Sequence, residues 1–438
     1  MVILMKNMMK NIAYDIYLIF LGTLAFFSFT GKIDEYILLI YFGIAFLLVI
    51  AKKGVFYLFP IAMFMTMSLT TLRNDTTTIL IYGLITIFIF VVDFIRNRKF
   101  TKVGYLFAPF MIYIILSVFT SVNSPDGFAT AVGFTLCVIM ALIYVYFLNT
   151  FEPGEDNYIR ISKMFMYLAV VVSAQMLYQV ADQGDLWVSF ISRRRIDLEW
   201  ENLNIIIYVN LISIPFIAYL ITKYKVKLPY MLLSLIVILG IILTLSRSSI
   251  LTVGVYALIL LPLSFFLEKD KMSLIIQSLF ALLVVTIAVF ILEQQGIISD
   301  ILNVIVSRDW TNTENRTELI EIAINQLKLH TILGSGGLYS SSIHLLELGP
   351  LNYHNTFAQA SSLGLLGLLA FVFLFFRKTK LIMLSKSSFK WFTLIMIYVT
   401  AFVNGMFQPM YFYTTYMLYI IMIMAVIEVN IKGSIKGI

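Results

Sequence analysis

The chain has one cysteine, Cys137, and three histidines among 438 residues. One thiol excludes a disulfide framework within the chain and any thiolate metal cage. Cys137 lies inside an apolar run, where a buried thiol is its ordinary setting. His330, His344 and His354 have none of the Cys/His or His/carboxylate spacings that hold a divalent ion. Charge is also scarce: Asp, Glu, Lys and Arg together make 13% of the chain, about half of what soluble domains carry, so a water-soluble globule is excluded. P-loop and dinucleotide glycine patterns are missing, as are repeats and low-complexity tracts.

What is abundant is apolar. Hydrophobic residues make 61% of the sequence and aromatics 15%, with a mean hydropathy of +0.94. The expected fold is all-α, a polytopic membrane helix bundle, because an apolar helix of about 20 residues crosses roughly 30 Å of hydrocarbon and closes its own backbone hydrogen bonds. The runs predict about fourteen transmembrane helices, centred near residues 22, 43, 63, 86, 112, 139, 171, 213, 237, 258, 283, 367, 398 and 420. The third is interrupted by Pro60 and the thirteenth ends in Asn404-Gly405. The first follows Lys6 and Lys10 but ends in Thr30-Gly31-Lys32 without a small-residue cleavage pattern, which predicts an uncleaved span. The organisation expected is N-terminal spans over 1–160, central spans with an Arg-rich external loop over 161–293, one long external loop containing amphipathic helices over 294–357, and C-terminal spans over 358–438.

Lysine and arginine collect in short cytoplasmic loops, and with both termini inside the fourteen-span reading places 22 of the 31 basic residues there. The nine outside are Lys32, Arg73, Arg193, Arg194, Arg195, Arg247, Arg308, Arg316 and Lys328. The net charge of +7 thus reflects orientation. No contiguous basic face on a soluble module points to nucleic acid.

Four outward constellations carry chemistry. Arg193-Arg194-Arg195 precede Glu199, Glu201 and Asn202-Leu203-Asn204; these cations can meet anionic lipid headgroups or pair with Asp197, Glu199 and Glu201. Ser246-Arg247-Ser248-Ser249 lies in a tight turn between two spans, where a guanidinium either sits at the C-terminal end of the ninth helix or serves a site, its planar fork suiting phosphate. Arg316 leads Leu319, Ile322, Ala323 and Leu327, spaced as an amphipathic helix at the outer membrane surface. His354-Asn355, followed by Gln359, Gly364 and Gly367, stands where the chain re-enters the bilayer. Asn355 suits an N-cap for the twelfth span, whose free amides would favour an anion, and a histidine there suits proton transfer.

Taken in order, these residues together with the Gly334-Ser335-Gly336-Gly337 turn resemble the O-antigen ligase and O-antigen polymerase superfamily of bacterial membrane glycosyltransferases. The resemblance covers residues 160–375 best. It implies transfer of a sugar chain from undecaprenyl pyrophosphate to an acceptor on the outer face of the inner membrane, with no cofactor, no metal and no nucleotide sugar. Arg247 matches the family's Ser-Arg arginine and Arg316 its loop arginine, both implied to hold donor pyrophosphate. His354 matches the histidine of its His-Asn motif, implied as acid/base or as a phosphate ligand. Arg195 and Asn355 are implied in pyrophosphate binding, although the family's Asn-Pro-Asn reads Asn202-Leu203-Asn204 here.

The implied partners are the lipid-linked glycan donor, a glycan or lipid A core acceptor, membrane lipids and, for a polymerase, a chain-length regulator protein. A polymerase is the leading expectation and a ligase passing glycan to lipid A core the alternative. A polysaccharide flippase of similar length is the more distant one, since a transporter should place charged or broken helices at mid-membrane.

Overall fold

The computed structural model describes residues 2–31, 37–51, 54–68, 76–97, 103–120, 127–184, 187–192, 198, 203–307, 316–334, 355–361, 363–406 and 414–435. Among them there is no strand; the fold is helical throughout. In chain order the helices are α1 (Val2–Phe29), α2 (Ile37–Ile50), α3 (Val55–Thr66), α4 (Thr76–Asn97), α5 (Phe107–Thr120), α6 (Gly127–Thr150), α7 (Asp156–Asp182), α8 (Trp187–Ser192) and α9 (Leu203–Lys223). They continue with α10 (Leu228–Leu243), α11 (Arg247–Leu267), α12 (Lys271–Gln294), α13 (Ile297–Val306), α14 (Arg316–Leu329), α15 (Thr356–Ser361), α16 (Gly364–Met383), α17 (Phe389–Val399) with a π turn at Thr400–Asn404, and α18 (Thr414–Ile435).

Every centre expected for a span lies on one of these helices. Among the described residues, five helices are long and apolar enough to cross a membrane: Ile12–Phe29, Asp156–Asp182, Ile206–Lys223, Arg247–Leu267 and Lys271–Gln294. Shorter apolar helices, α2, α3 and α10 among them, accompany these five. Pro60 stays inside α3 rather than ending it. The long apolar helices and the many large hydrophobic side chains left on their outer faces form the pattern of an integral membrane protein.

The chain divides into two compact units, residues 1–98 with 156–310, and residues 99–155 with 311–438. In the first, α7 is the central helix, packing on α1, α3, α9 and α10. Its burial explains why its polar residues have partners, since an unpaired polar group away from water is costly. Gln175 Nε2 donates to Met67 O at 3.0 Å, and Asn210 Nδ2 donates to Ser173 Oγ at 3.1 Å. At the latter point a Cβ on Gly240 of α10 would lie 2.5 Å from Ser173 Oγ, so only glycine allows so close an approach. Lys163 Nζ meets Asp15 Oδ2 at 2.6 Å with its side chain 1% exposed, and Lys227 meets Glu268 at 3.2 Å. Positive-inside counting treats these lysines as loop charges; packing makes them internal ties between helices.

In the second unit α16 packs on α5, α17 and α18, and α6 on α5 and α18. Glu428 of α18, 1% exposed, accepts from the Tyr105 amide at 2.9 Å and from Tyr144 Oη and Lys432 Nζ. That arrangement ties the segment before α5 to both α6 and α18.

Candidate active site

The turn into α15 is built by one side chain. Asn355 Oδ1 accepts from the amides of Phe357 at 2.8 Å and Ala358 at 3.0 Å, as the sequence expectation of an N-cap requires. Its Nδ2 donates to Met406 O at 2.8 Å, and the Thr356 amide donates to Gly405 O at 2.7 Å. Gln359 N completes the turn on Asn355 O at 2.9 Å. Two expectations change. The helix that Asn355 caps is the six-residue α15, whereas the twelfth span starts afresh as α16 at Gly364. The first amides of α15 have acceptors within the protein, so this N-terminus does not offer the free donors that its sequence suggested.

Gly405 explains the end of the thirteenth span. The π turn Thr400–Asn404 closes with Gly405 N donating to Thr400 O at 2.6 Å. A Cβ there would lie 3.1 Å from Thr356 Oγ1 and 2.2 Å from Ala401 O. The Asn404-Gly405 pair that looked like a weak span end is therefore the clamp that receives α15.

Gly364, the first of the two glycines after Asn355, makes a turn at the start of α16. Gly364 has φ +71°, and a Cβ on it would lie 2.4 Å from Gly334 N and 2.7 Å from Ile332 O. Segment 331–334 runs along this corner, with Leu365 N donating to Thr331 O at 2.8 Å and Gly334 N to Leu363 O at 3.3 Å. Thus Gly334, the first glycine of the Gly-Ser-Gly-Gly turn, meets Gly364 backbone to backbone. Ser335, Gly336 and Gly337 lie outside the described residues.

The same corner carries α14, whose first residue is Arg316. Leu319 (6% exposed) and Ala323 (1%) form a core with Ala358 of α15, and Ile322 packs against it. The stripe read as a membrane-surface face is thus in part an internal contact, which fastens the Arg316 helix to the Asn355 turn. Ile320, Ile324 and Leu329 remain exposed. In the first unit, α13 is more one-sided than α14, with Ser299, Asp300 and Asn303 on one face, apolar residues on the other and none of its residues buried.

Arg247 belongs to the first unit. It is the first residue of α11, after an N-cap at Ser246, and is half-buried. The turn before it is tight: Leu245 has φ +50°, the left-handed region that side chains avoid. Ser249 Oγ donates to Ser246 Oγ at 2.9 Å, and Ser246 N donates to Thr244 Oγ1 at 3.2 Å. Arg247 therefore opens the following helix rather than finishing the preceding one. Compensation of a helix C-terminal dipole thus does not explain the charge.

Arg247 opening α11, Arg316 opening α14 and the Asn355 turn succeed one another in the order that the sequence pattern gave. Residues 232–372 match the O-antigen ligase family model. The matched segment covers about a third of the chain, and Arg247, Arg316, His354 and Asn355 all fall inside it, while Arg195 falls before it. None of the curated proteins and none of the solved structures compared with the chain matches it.

Within the matched segment the structure brings together the α14 helix, the Gly334 corner and the Asn355 turn. The chain positions of Arg195 and His354, and the side chain of Arg316, lie outside the described residues. Among the described residues no three His, Cys, Asp or Glu side chains come together to hold a metal ion. The clamp formed by Gly405 and Met406 on α15 was missed in the sequence. Its only signal was the Asn-Gly pair at the end of a hydrophobic run.

Proposed function

We propose that the chain is a membrane glycosyltransferase that joins oligosaccharide repeat units carried on undecaprenyl pyrophosphate into O-antigen or capsule-like polysaccharide, on the outer face of the cytoplasmic membrane. The observation that carries this reading is the O-antigen ligase match over 232–372, which contains both helix-opening arginines and the His-Asn pair. In the reaction an acceptor sugar hydroxyl attacks the anomeric carbon, the bond from that carbon to pyrophosphate oxygen breaks, and the hydroxyl proton passes to His354. Undecaprenyl pyrophosphate leaves with the bonding pair. Arg247 and Arg316 take up the charge that the leaving group gains; because that charge grows towards the transition state, they lower the barrier more than they tighten substrate binding. This leaves no step that requires a metal ion.

Arg195 joins the pyrophosphate site in this proposal. Asn355 lies beside the pyrophosphate in this proposal, and its amide, engaged with backbone at both ends, holds the turn that follows His354 in the chain. Residues 294–357 lie outside the membrane, both termini lie inside, and about fourteen helices cross. A second reading, transfer of finished glycan to lipid A core, is favoured by the family's own description as O-antigen ligase. Incubation of the purified protein with lipid-linked repeat units separates the two. A polymerase yields a ladder from that substrate alone, whereas a ligase gives product only when lipid A core is added.

A further inference from the structure

The second unit holds a cavity far from the Asn355 turn. It lies between α5, α6, α16 and α18, and its walls include Tyr113, Tyr144, Phe371, Leu374 and Met424, with Lys378 among them. From Phe371 to Lys378 is two turns of α16, about 10 Å at 1.5 Å per residue, so the slot runs along the helices. Nearly all its wall is hydrocarbon or aromatic. Lys378 is the exception, a lysine only 9% exposed near the C-terminal end of α16. A charged side chain buried at membrane depth is costly and marks a site by default.

The surroundings of that lysine give the sign of the occupant. The buried carboxylate of Glu428, close to the slot, accepts from the Tyr105 amide, Tyr144 Oη and Lys432 Nζ. Arg377 lies with its guanidinium 3.7 Å from the Tyr105 ring centroid, and Lys380 and Lys432 are exposed at the same ends of α16 and α18. The rim is therefore cationic and the interior apolar. Lys378 stands at their boundary, fourteen residues along α16 from Gly364, or about 21 Å. This separates the slot from the Asn355 turn and the Gly334 corner.

We propose that this slot is a lipid-binding site that takes one hydrocarbon chain between α5, α16 and α18, with the phosphate of its headgroup at Lys378. Two sources share this chemistry, an anionic phospholipid of the surrounding leaflet and a polyprenyl monophosphate. The site would couple the lipid environment to the packing of α16, whose other end forms the Gly364 corner.

The test uses the full chain, stripped of lipid in detergent and titrated with dioctanoyl phosphatidylglycerol, dioctanoyl phosphatidylcholine or a short polyprenyl monophosphate, with binding followed by native mass spectrometry. Phosphatidylglycerol or the polyprenyl phosphate should bind more tightly than phosphatidylcholine, and whichever of the two binds better identifies the source. Lys378→Met should weaken the preferred lipid about fivefold, the effect of one lysine on an anionic headgroup, while Lys378→Arg keeps it. Leu374→Trp, which fills the slot without touching charge, should reduce binding of every chain. Phosphatidylcholine binding as tightly as the phosphate lipids, Lys378→Met binding like the parent, or Leu374→Trp leaving binding unchanged would each overturn the proposal. The thermal midpoint of each variant, measured alongside, separates lost binding from lost folding.

Discussion

Gly364→Ala should loosen the corner on which the candidate site is built. The residue has φ +71°, which costs an L side chain about 1 kcal/mol. The added Cβ would stand 2.4 Å from Gly334 N, 2.7 Å from Ile332 O and 3.0 Å from Gly334 Cα. All three are backbone atoms, which cannot swing aside as a side chain does. Segment 331–334 must therefore retreat by about 1 Å to reach ordinary contact, and its bonds from Leu365 N, Leu366 N and Gly334 N weaken together. At about 1 kcal/mol net for each, the whole change costs about 3–4 kcal/mol. With about 2–4 °C of melting temperature per kcal/mol in domains of comparable size, the thermal midpoint should fall by about 6–16 °C in a fluorescence melt. Glycan output should fall with it, because α14 and Arg316 ride on the displaced segment. Gly254→Ala is the control: nothing lies within 4 Å of its added Cβ, so replacing a helical glycine there should be neutral or stabilise by up to about 1 kcal/mol. Equal midpoints for Gly364→Ala and Gly254→Ala would refute the reasoning.

Arg247→Ala and Arg316→Ala should each remove most polymer in a complemented deletion strain, with Lys restoring little because an ammonium lacks the planar fork; normal polymer length in both Lys variants would exclude a pyrophosphate clamp. Asn355→Ala removes the acceptor for two helix amides and a donor to Met406 O, which should cost about 1–2 kcal/mol in a thermal melt. Asn355→Asp keeps the capping oxygen and should recover part of that loss. If His354 is the base, activity should rise with pH through about 6.5, the ordinary imidazole value, since only the neutral ring accepts a proton; a falling profile would make it a phosphate-binding imidazolium instead. Reporter fusions at Asp309 and Lys436 should report outside and inside respectively, and a cytoplasmic Asp309 would remove the outward-facing site.

Helices were legible from hydrophobic run length alone, because each apolar stretch must satisfy its own backbone in lipid. Asn355 as a cap was legible too, since an Asn before Thr-Phe-Ala is a local signal. What the sequence hid is non-local. Nothing in the string Asn355-Thr356-Phe357-Ala358 says that the amides of Thr356, Phe357 and Ala358 are met by Gly405 O and Asn355 Oδ1 rather than left for an anion. The role of Gly364 is hidden in the same way, because its close contact is with Gly334, in a segment thirty residues earlier. Arg247 was placed at the wrong helix end because the turn is only three residues long, and Leu245 reverses the chain in a conformation that its side chain disfavours. Lys163, Lys227 and Lys378 counted as loop charges, and their burial depends on partners and walls from other helices.

Transfer by the purified protein tests the central claim most directly. Reconstituted in vesicles with undecaprenyl-pyrophosphate-linked repeat units and excess chelator, the protein should build a glycan ladder and release undecaprenyl pyrophosphate, and Arg247→Ala and His354→Ala should do neither while remaining folded and inserted. Transfer that persists unchanged in both variants, or that stops with chelator and returns with Mg²⁺, would contradict the account.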